Sequence, residues 1–181
     1  RQRQMCIRDR VIGLFVYDTV TEKELTADQY KLLKFYKLNT KRELSDFRLA
    51  SGDEVYSNQN LQDQWNLIFM GFASCPDMCP MTMSQIAKTS DLLKAESPEL
   101  LKNITFTIVS VDPDRDSPSK ILKYAQAFNE DFIGVSGAIE EIYKLATNLT
   151  LPFVPVLNST ENNYDMDHSM NLALILSLIH I

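Results

Sequence analysis

The stretch "WNLIFMGFASCPDMCPMTMSQIAK", Trp65 to Lys88, decides the fold class of this chain. Its first third, Trp65 to Phe72, is an almost continuous apolar run, the pattern of a strand buried on both faces. A loop with two cysteines follows, and then a helix over about Pro80 to Glu96, with Met81, Ile86, Leu92 and Leu93 among its apolar positions. Pro80 falls in the first helical turn, where a missing N–H costs nothing. Cys75 leaves the strand and Cys79 opens the helix, each followed by a proline. A thiol at a helix start meets free N–H groups and the positive end of the helix dipole, which favours thiolate at Cys79.

Outward from this unit the alternation continues. "ITFTIVSV" (Ile104 to Val111) is a β-branched strand, and "DSPSKILKYAQAF" a helix with Ser117 as cap and Pro118 in its first turn. "FIGVSG" is a short strand, "AIEEIYKLATNL" a third helix and "MNLALIL" (Met170 to Leu176) a last strand. "LPFVPVLNSTENNYDMDHS" between them reads as a long irregular loop. Upstream, "RELSDFRLASGDEVYSNQNL" has the alternation and the "SGDE" turn of a hairpin, and residues 21–38 have a loose helical pattern with Thr26 as N-cap. Strand–helix alternation means an α/β domain whose sheet is mostly parallel in its first part. Ligands in such sheets sit beyond the C-terminal ends of the strands, where the cysteine pair lies.

Composition sets the class and little more. The chain has 181 residues, 45% hydrophobic and 23% charged, with net charge −6. That is ordinary for a soluble globular protein with one sizeable core. No basic cluster interleaved with aromatics is present, which argues against nucleic-acid binding. No window reaches the roughly 18–20 apolar residues that span a bilayer. "VIGLFVY" (Val11 to Tyr17) is too short alone and fits a strand or the tail of a membrane anchor. The two ends, "RQRQMCIRDR" and "SLIHI", resemble conceptual translations of sequencing-adapter DNA, so residues 1–10 and 177–181 are set aside as foreign. Of three cysteines and two histidines, Cys6 and His180 fall in those ends, leaving Cys75, Cys79 and His168.

Two thiolates and one imidazole make a three-coordinate soft donor set that suits Cu(I). Zinc in a structural site takes a fourth protein ligand, which Asp112, Asp165 or Asp167 would have to supply. His168 stands just before the last strand, and Asp112 ends the Ile104–Val111 strand at the same sheet edge as the cysteines. Asp112 is therefore a candidate oxygen ligand for the harder Cu(II) state, or a group just outside the ligands. Asp116 and Ser117 read as turn and capping residues. The pair Cys75 and Cys79 is also a candidate redox couple, although three intervening residues make it longer than C-x-x-C.

"GFASCPDMCPMTMSQI", "SVDPDRDSP" and "DHS" before an apolar strand together resemble the Sco/SenC family, copper chaperones of cytochrome c oxidase assembly. "KRELSDFRL" is similar to the start of that family's domain, and the similarity runs from about Lys41 to Leu176. The resemblance implies a thioredoxin-like fold, a central mixed sheet flanked by helices, over residues 41–176. It implies a copper ion, Cu(I) or Cu(II), held by Cys75, Cys79 and His168. It implies delivery to the binuclear copper site of cytochrome c oxidase subunit II. It also implies a periplasmic domain anchored to the inner membrane, or one in the mitochondrial intermembrane space, with residues 11–40 as remnant of anchor and linker. The family continues past the His168 strand into a further strand and helix, whereas this chain runs into "SLIHI". The fold is then expected to be truncated at its C-terminus, with an open edge on Met170–Leu176 that templates pairing with another chain.

Two other functions compete. A thioredoxin-type oxidoreductase would cycle Cys75 and Cys79 between dithiol and disulfide and reduce the cysteines of subunit II. Thioredoxin-like reductases resemble one another in a cis-proline before the corresponding strand, and here Asp167-His168-Ser169 fill that stretch. A peroxidase relative would need a Thr and an Arg around the attacking cysteine, and no such motif is present.

Overall fold

The computed structural model describes residues 25–38, 42–157 and 164–176. The chain divides into two compact units, Arg1–Lys41 and Arg42–Ile181. Within the described part of the first lies one short helix, α1 (Ala27–Leu32), opened by Thr26 in a capping box with Gln29. The foreign-end expectations (1–10 and 177–181) and the Val11–Tyr17 run lie outside the described residues. Among the described residues no helix is long and apolar enough to cross a membrane.

The second unit is built on a four-stranded sheet of order β5-β4-β3-β8. Strand β3 (Trp65–Gly71) pairs in parallel with β4 (Ile104–Ser110), and β4 in parallel with β5 (Ile133–Val135). On its other side β3 pairs antiparallel with β8 (Leu172–Leu176). This is the mixed sheet of the expected fold class. Strands β3 and β4 are apolar runs because both faces are covered: Ile68, Phe69, Met70, Ile108 and Val109 are each at most 1% exposed. Each such side chain stabilises the fold by roughly 1.5–3 kcal/mol relative to leaving it in water.

The flanking helices are α2 (Met78–Glu96), the one-turn α3 (Pro98–Leu101), α4 (Pro118–Gln126) and α5 (Ile139–Leu149). Ser117 caps α4 by accepting from the Lys120 N–H, and Pro118 follows it. Helix α4 packs so closely on β5 that a Cβ at Gly134 would stand 2.2 Å from the Ile121 carbonyl oxygen. A hairpin of β1 (Arg48–Ser51) and β2 (Glu54–Ser57) precedes a 3-10 turn over Asn58–Leu61. Its two-residue turn starts at Gly52, whose φ of 58° only glycine adopts freely. Ala50 and Ser136 exchange backbone hydrogen bonds of 2.8 and 2.9 Å, which join this hairpin to the end of β5.

The expected irregular loop over Leu151–Ser169 is instead an antiparallel ribbon of β6 (Phe153–Leu157) and β7 (Tyr164–His168). Pro152 and Pro155 argue against a strand in sequence, because proline removes a ladder donor. A two-stranded ribbon has a free edge on each strand, so Pro155 is accommodated there. Strand β8 is an edge of the four-stranded sheet, and Leu172, Leu174 and Leu176 present one exposed face among the described residues. Among the described residues this is the open edge expected on Met170–Leu176, with apolar surface left uncovered beside it.

Candidate metal centre

Strand β3 ends at Gly71, beside β4, and delivers the chain to the C-terminal edge of the sheet. Gly71 is required by close approach: a Cβ there would lie 2.8 Å from Phe69 Cε1 and 3.0 Å from Cys79 Sγ. The loop Phe72–Asp77 then turns into α2, with Cys75 half-buried and Cys79 fully buried in the first helical turn. Both cysteines are free thiols.

The free N–H groups of the helix start do not serve the thiol expected. The Cys79 N–H points at Cys75 Sγ at 3.3 Å. Cys79 itself is enclosed by core side chains, and burial pushes its thiol pKa well up, offset in part by a backbone hydrogen bond with Phe72. Desolvation outweighs the helix dipole at this position, which corrects the expectation of a thiolate-favouring environment for Cys79.

His168 arrives from β7, in register opposite Phe153. Its Nε2 lies 3.4 Å from Cys79 Sγ, and its Nδ1 3.2 Å from the Ser169 carbonyl oxygen. A carbonyl only accepts, so Nδ1 carries the hydrogen and the Nε2 lone pair faces the sulfur. The imidazole is held edge-on by Phe69 and Phe72, each with ring centroids 5.8 Å away. The ligand atoms of Cys75, Cys79 and His168 all lie within 4.8 Å of one another. Two sulfurs and one nitrogen at that spacing form a soft, three-donor pocket that fits a copper-like ion.

Asp112 does not join this cluster of donors. It is buried, its Oδ1 accepts the Tyr164 hydroxyl at 2.6 Å, and its Oδ2 is ion-paired with the Arg115 Nε–H. Each carboxylate oxygen thus carries a protein donor. The carboxylate also pushes the Tyr164 hydroxyl pKa up by accepting its proton bond. Asp165 and Asp167 are exposed, and neither belongs to the cluster of ligand atoms.

Asp116, read from sequence as a turn residue, does more. Fully buried, it accepts from the Ala73 N–H at 2.7 Å and from the Ser110 hydroxyl at 3.0 Å, with Lys120 Nζ 2.9 Å from its other oxygen. It thereby fixes the loop that carries Cys75. Tyr164 and Arg115 were not singled out in sequence; the aromatic four residues before His168 was the available signal. Tyr124 was missed too: its hydroxyl is buried with no hydrogen-bond partner among the described residues, and burial, with added repulsion from Cys79 and Cys75, pushes its pKa up.

The family model described as SCO1/SenC matches residues 37–177. This chain belongs to the SCO1/SenC family. A protein of Stutzerimonas stutzeri named for copper binding is 37% identical over 123 residues, 68% of this chain and 58% of that protein. The mitochondrial SCO1 homolog of Homo sapiens is 30% identical over 122 residues, 67% of this chain and 40% of that protein. The chain thus spans only about half the length of these curated relatives. Among solved structures, Arabidopsis thaliana ScoI with copper bound superposes with a TM-score of 0.66 at 27% identity, covering 73% of this chain and 80% of that one. Bradyrhizobium japonicum ScoI with copper bound gives 0.63 at 28% identity, covering 72% and 81%. The likeness to these structures gives the fold as thioredoxin-like, with the mixed sheet and its flanking helices.

Proposed function

We propose that this SCO1/SenC chain binds copper as cargo through Cys75, Cys79 and His168 and passes it on during assembly of cytochrome c oxidase. The single observation that carries the reading is the convergence of two sulfurs and one imidazole nitrogen within 4.8 Å at the C-terminal edge of the sheet. Relatives named for copper binding, and solved relatives with copper bound, support the choice of metal. The recipient is the binuclear copper site of subunit II. The domain works over residues 41–176 in the periplasm, or in the mitochondrial intermembrane space, tethered to the membrane through its N-terminal side.

The chemistry follows from the donors. Both thiols must lose a proton to ligate, so loading releases protons and oxidation of the pair removes the site. Thiolate and imidazole suit Cu(I), and the imidazole adds the harder donor that Cu(II) needs. The test is copper stoichiometry on the dithiol and disulfide forms of the full chain. About one copper per reduced chain and none on the oxidised chain is expected. A stoichiometric copper complex of the fully oxidised protein would falsify the assignment.

A second reading is favoured by the unequal burial of the two cysteines. Half-exposed Cys75 is placed to attack a partner's disulfide, forming a mixed disulfide and releasing one partner thiolate. Buried Cys79 then displaces the second, leaving a partner dithiol and a Cys75–Cys79 disulfide. Two electrons pass to the partner, whose two sulfurs end protonated. The two readings use the same sulfurs in turn.

A further inference from the structure

The β6–β7 ribbon pairs with no other strand among the described residues. A ribbon of two strands is marginally stable by itself, and a slip of one residue turns every side chain to the opposite face. Along β7, Tyr164, Met166 and His168 share one face. Met166 is 9% exposed and supplies apolar contact without direction. Tyr164 supplies direction. Its hydroxyl donates to Asp112 Oδ1 at 2.6 Å, and its backbone oxygen accepts from Arg115 Nη1 at 3.1 Å.

Arg115 completes a closed arrangement. Its Nε–H pairs with Asp112 Oδ2, and its guanidinium lies over the Tyr164 ring at 4.4 Å and the Phe72 ring at 5.7 Å. Phe72 in turn meets the His168 imidazole edge-on. One group therefore touches both the strand that carries His168 and the ring that supports it. Asp112 is anchored from below, because its N–H donates to the Ser110 hydroxyl, which itself donates to Asp116. The turn Asp112–Asp116 thus holds the cysteine loop through Asp116 and the histidine ribbon through Asp112.

We propose that Tyr164, acting through Asp112 and Arg115, is a positioning residue for His168: it locks the inward face of the ribbon and so sets where the imidazole stands against the two sulfurs. His168 as a metal donor rests on the function proposed above; the lock itself does not.

The experiment uses the full chain with Tyr164→Phe, which removes one hydroxyl and keeps the ring under Arg115, and Arg115→Lys as a second variant. In the metal-free protein, hydrogen exchange of the ribbon amides (153–157 and 164–168) should accelerate about tenfold in Tyr164→Phe, the lower end of what a hydrogen bond to a charged group contributes. Exchange in β3 and β4 should be unchanged, and the proton contacts of the His168 ring with Phe69 and Phe72 should weaken in the nuclear Overhauser spectrum. With Cu(II) added, Tyr164→Phe should show a heterogeneous nitrogen ligand field while the sulfur-to-copper band persists. Ribbon exchange and His168 ring contacts equal to wild type in both variants overturn the proposal. So does a loosened ribbon with unaltered His168 ring contacts. A wild-type chain that binds no copper defeats the metal reading alone, and the metal-free measurements still decide the lock.

Discussion

The two halves of the donor set are built to different standards of rigidity. The cysteines sit on the chain that leaves β3, a strand paired on both sides, with Ile68, Phe69 and Met70 sealed beneath them. His168 sits on a ribbon outside that sheet, where Val154 and Val156 are 54% and 43% exposed. One half inherits its position from the hydrophobic core. The other takes its position from fewer contacts: Phe153 stacked on Tyr143 at 4.3 Å, Met166, the Phe69 and Phe72 rings edge-on to the imidazole, and the Tyr164–Asp112–Arg115 group. Stiff sulfurs with an adjustable imidazole suit the proposed carrier role, in which cargo is both held and released.

Three substitutions test this contrast, from the largest effect down. Cys79→Ala removes a donor from the stiff half. Copper affinity of the reduced chain should fall by more than about a hundredfold, since even groups behind the ligands cost 10–100-fold in metal sites. Competition against a soluble chelator measures it, and wild-type affinity would mean that the sulfurs are not the ligands. His168→Ala acts on the adjustable half. Cu(II) should weaken by roughly ten- to a hundredfold and Cu(I) by less, because sulfur alone satisfies the softer ion. An unaltered Cu(II) spectrum in this variant would remove His168 from the metal.

Gly71→Ala probes how stiff the cysteine half is. The added methyl must displace Phe69 or the Cys79 sulfur, 2.8 and 3.0 Å from it. Overpacking of this kind costs about 1–3 kcal/mol, or very roughly 2–10 °C in a chain of this size. Thermal unfolding of the metal-free protein reads the cost. A variant as stable as wild type would show that the cysteine half yields more easily than the core beneath it implies.

The same contrast explains what was legible in the sequence. Runs such as Trp65–Phe72 and Ile104–Val111 announce buried parallel strands because burial on both faces leaves few polar positions. The ribbon did not announce itself, since Pro152 and Pro155 break a strand pattern that only an unpaired edge tolerates. Cysteines and histidine are rare here, so their chemistry stood out. What Asp112 does was hidden, because its partner Tyr164 is 52 residues away and only the folded chain brings a hydroxyl to it. The environment of Cys79 was misread for a related reason. A helix start is visible in sequence, whereas complete burial depends on the core that the folded chain assembles around the thiol.

The hydrogen bond from His168 Nδ1 to the Ser169 carbonyl oxygen has a kinetic meaning. Spinning the imidazole away from the sulfurs by side-chain rotation breaks that bond and the two edge-on ring contacts together. Carrying the imidazole away with its strand keeps the bond, because Ser169 is the next residue and travels with it. Rotamer hops occur in picoseconds to nanoseconds, and loop-scale motions in nanoseconds to microseconds. The intact bond therefore favours departure with the ribbon, the slower of these motions, over departure by ring rotation.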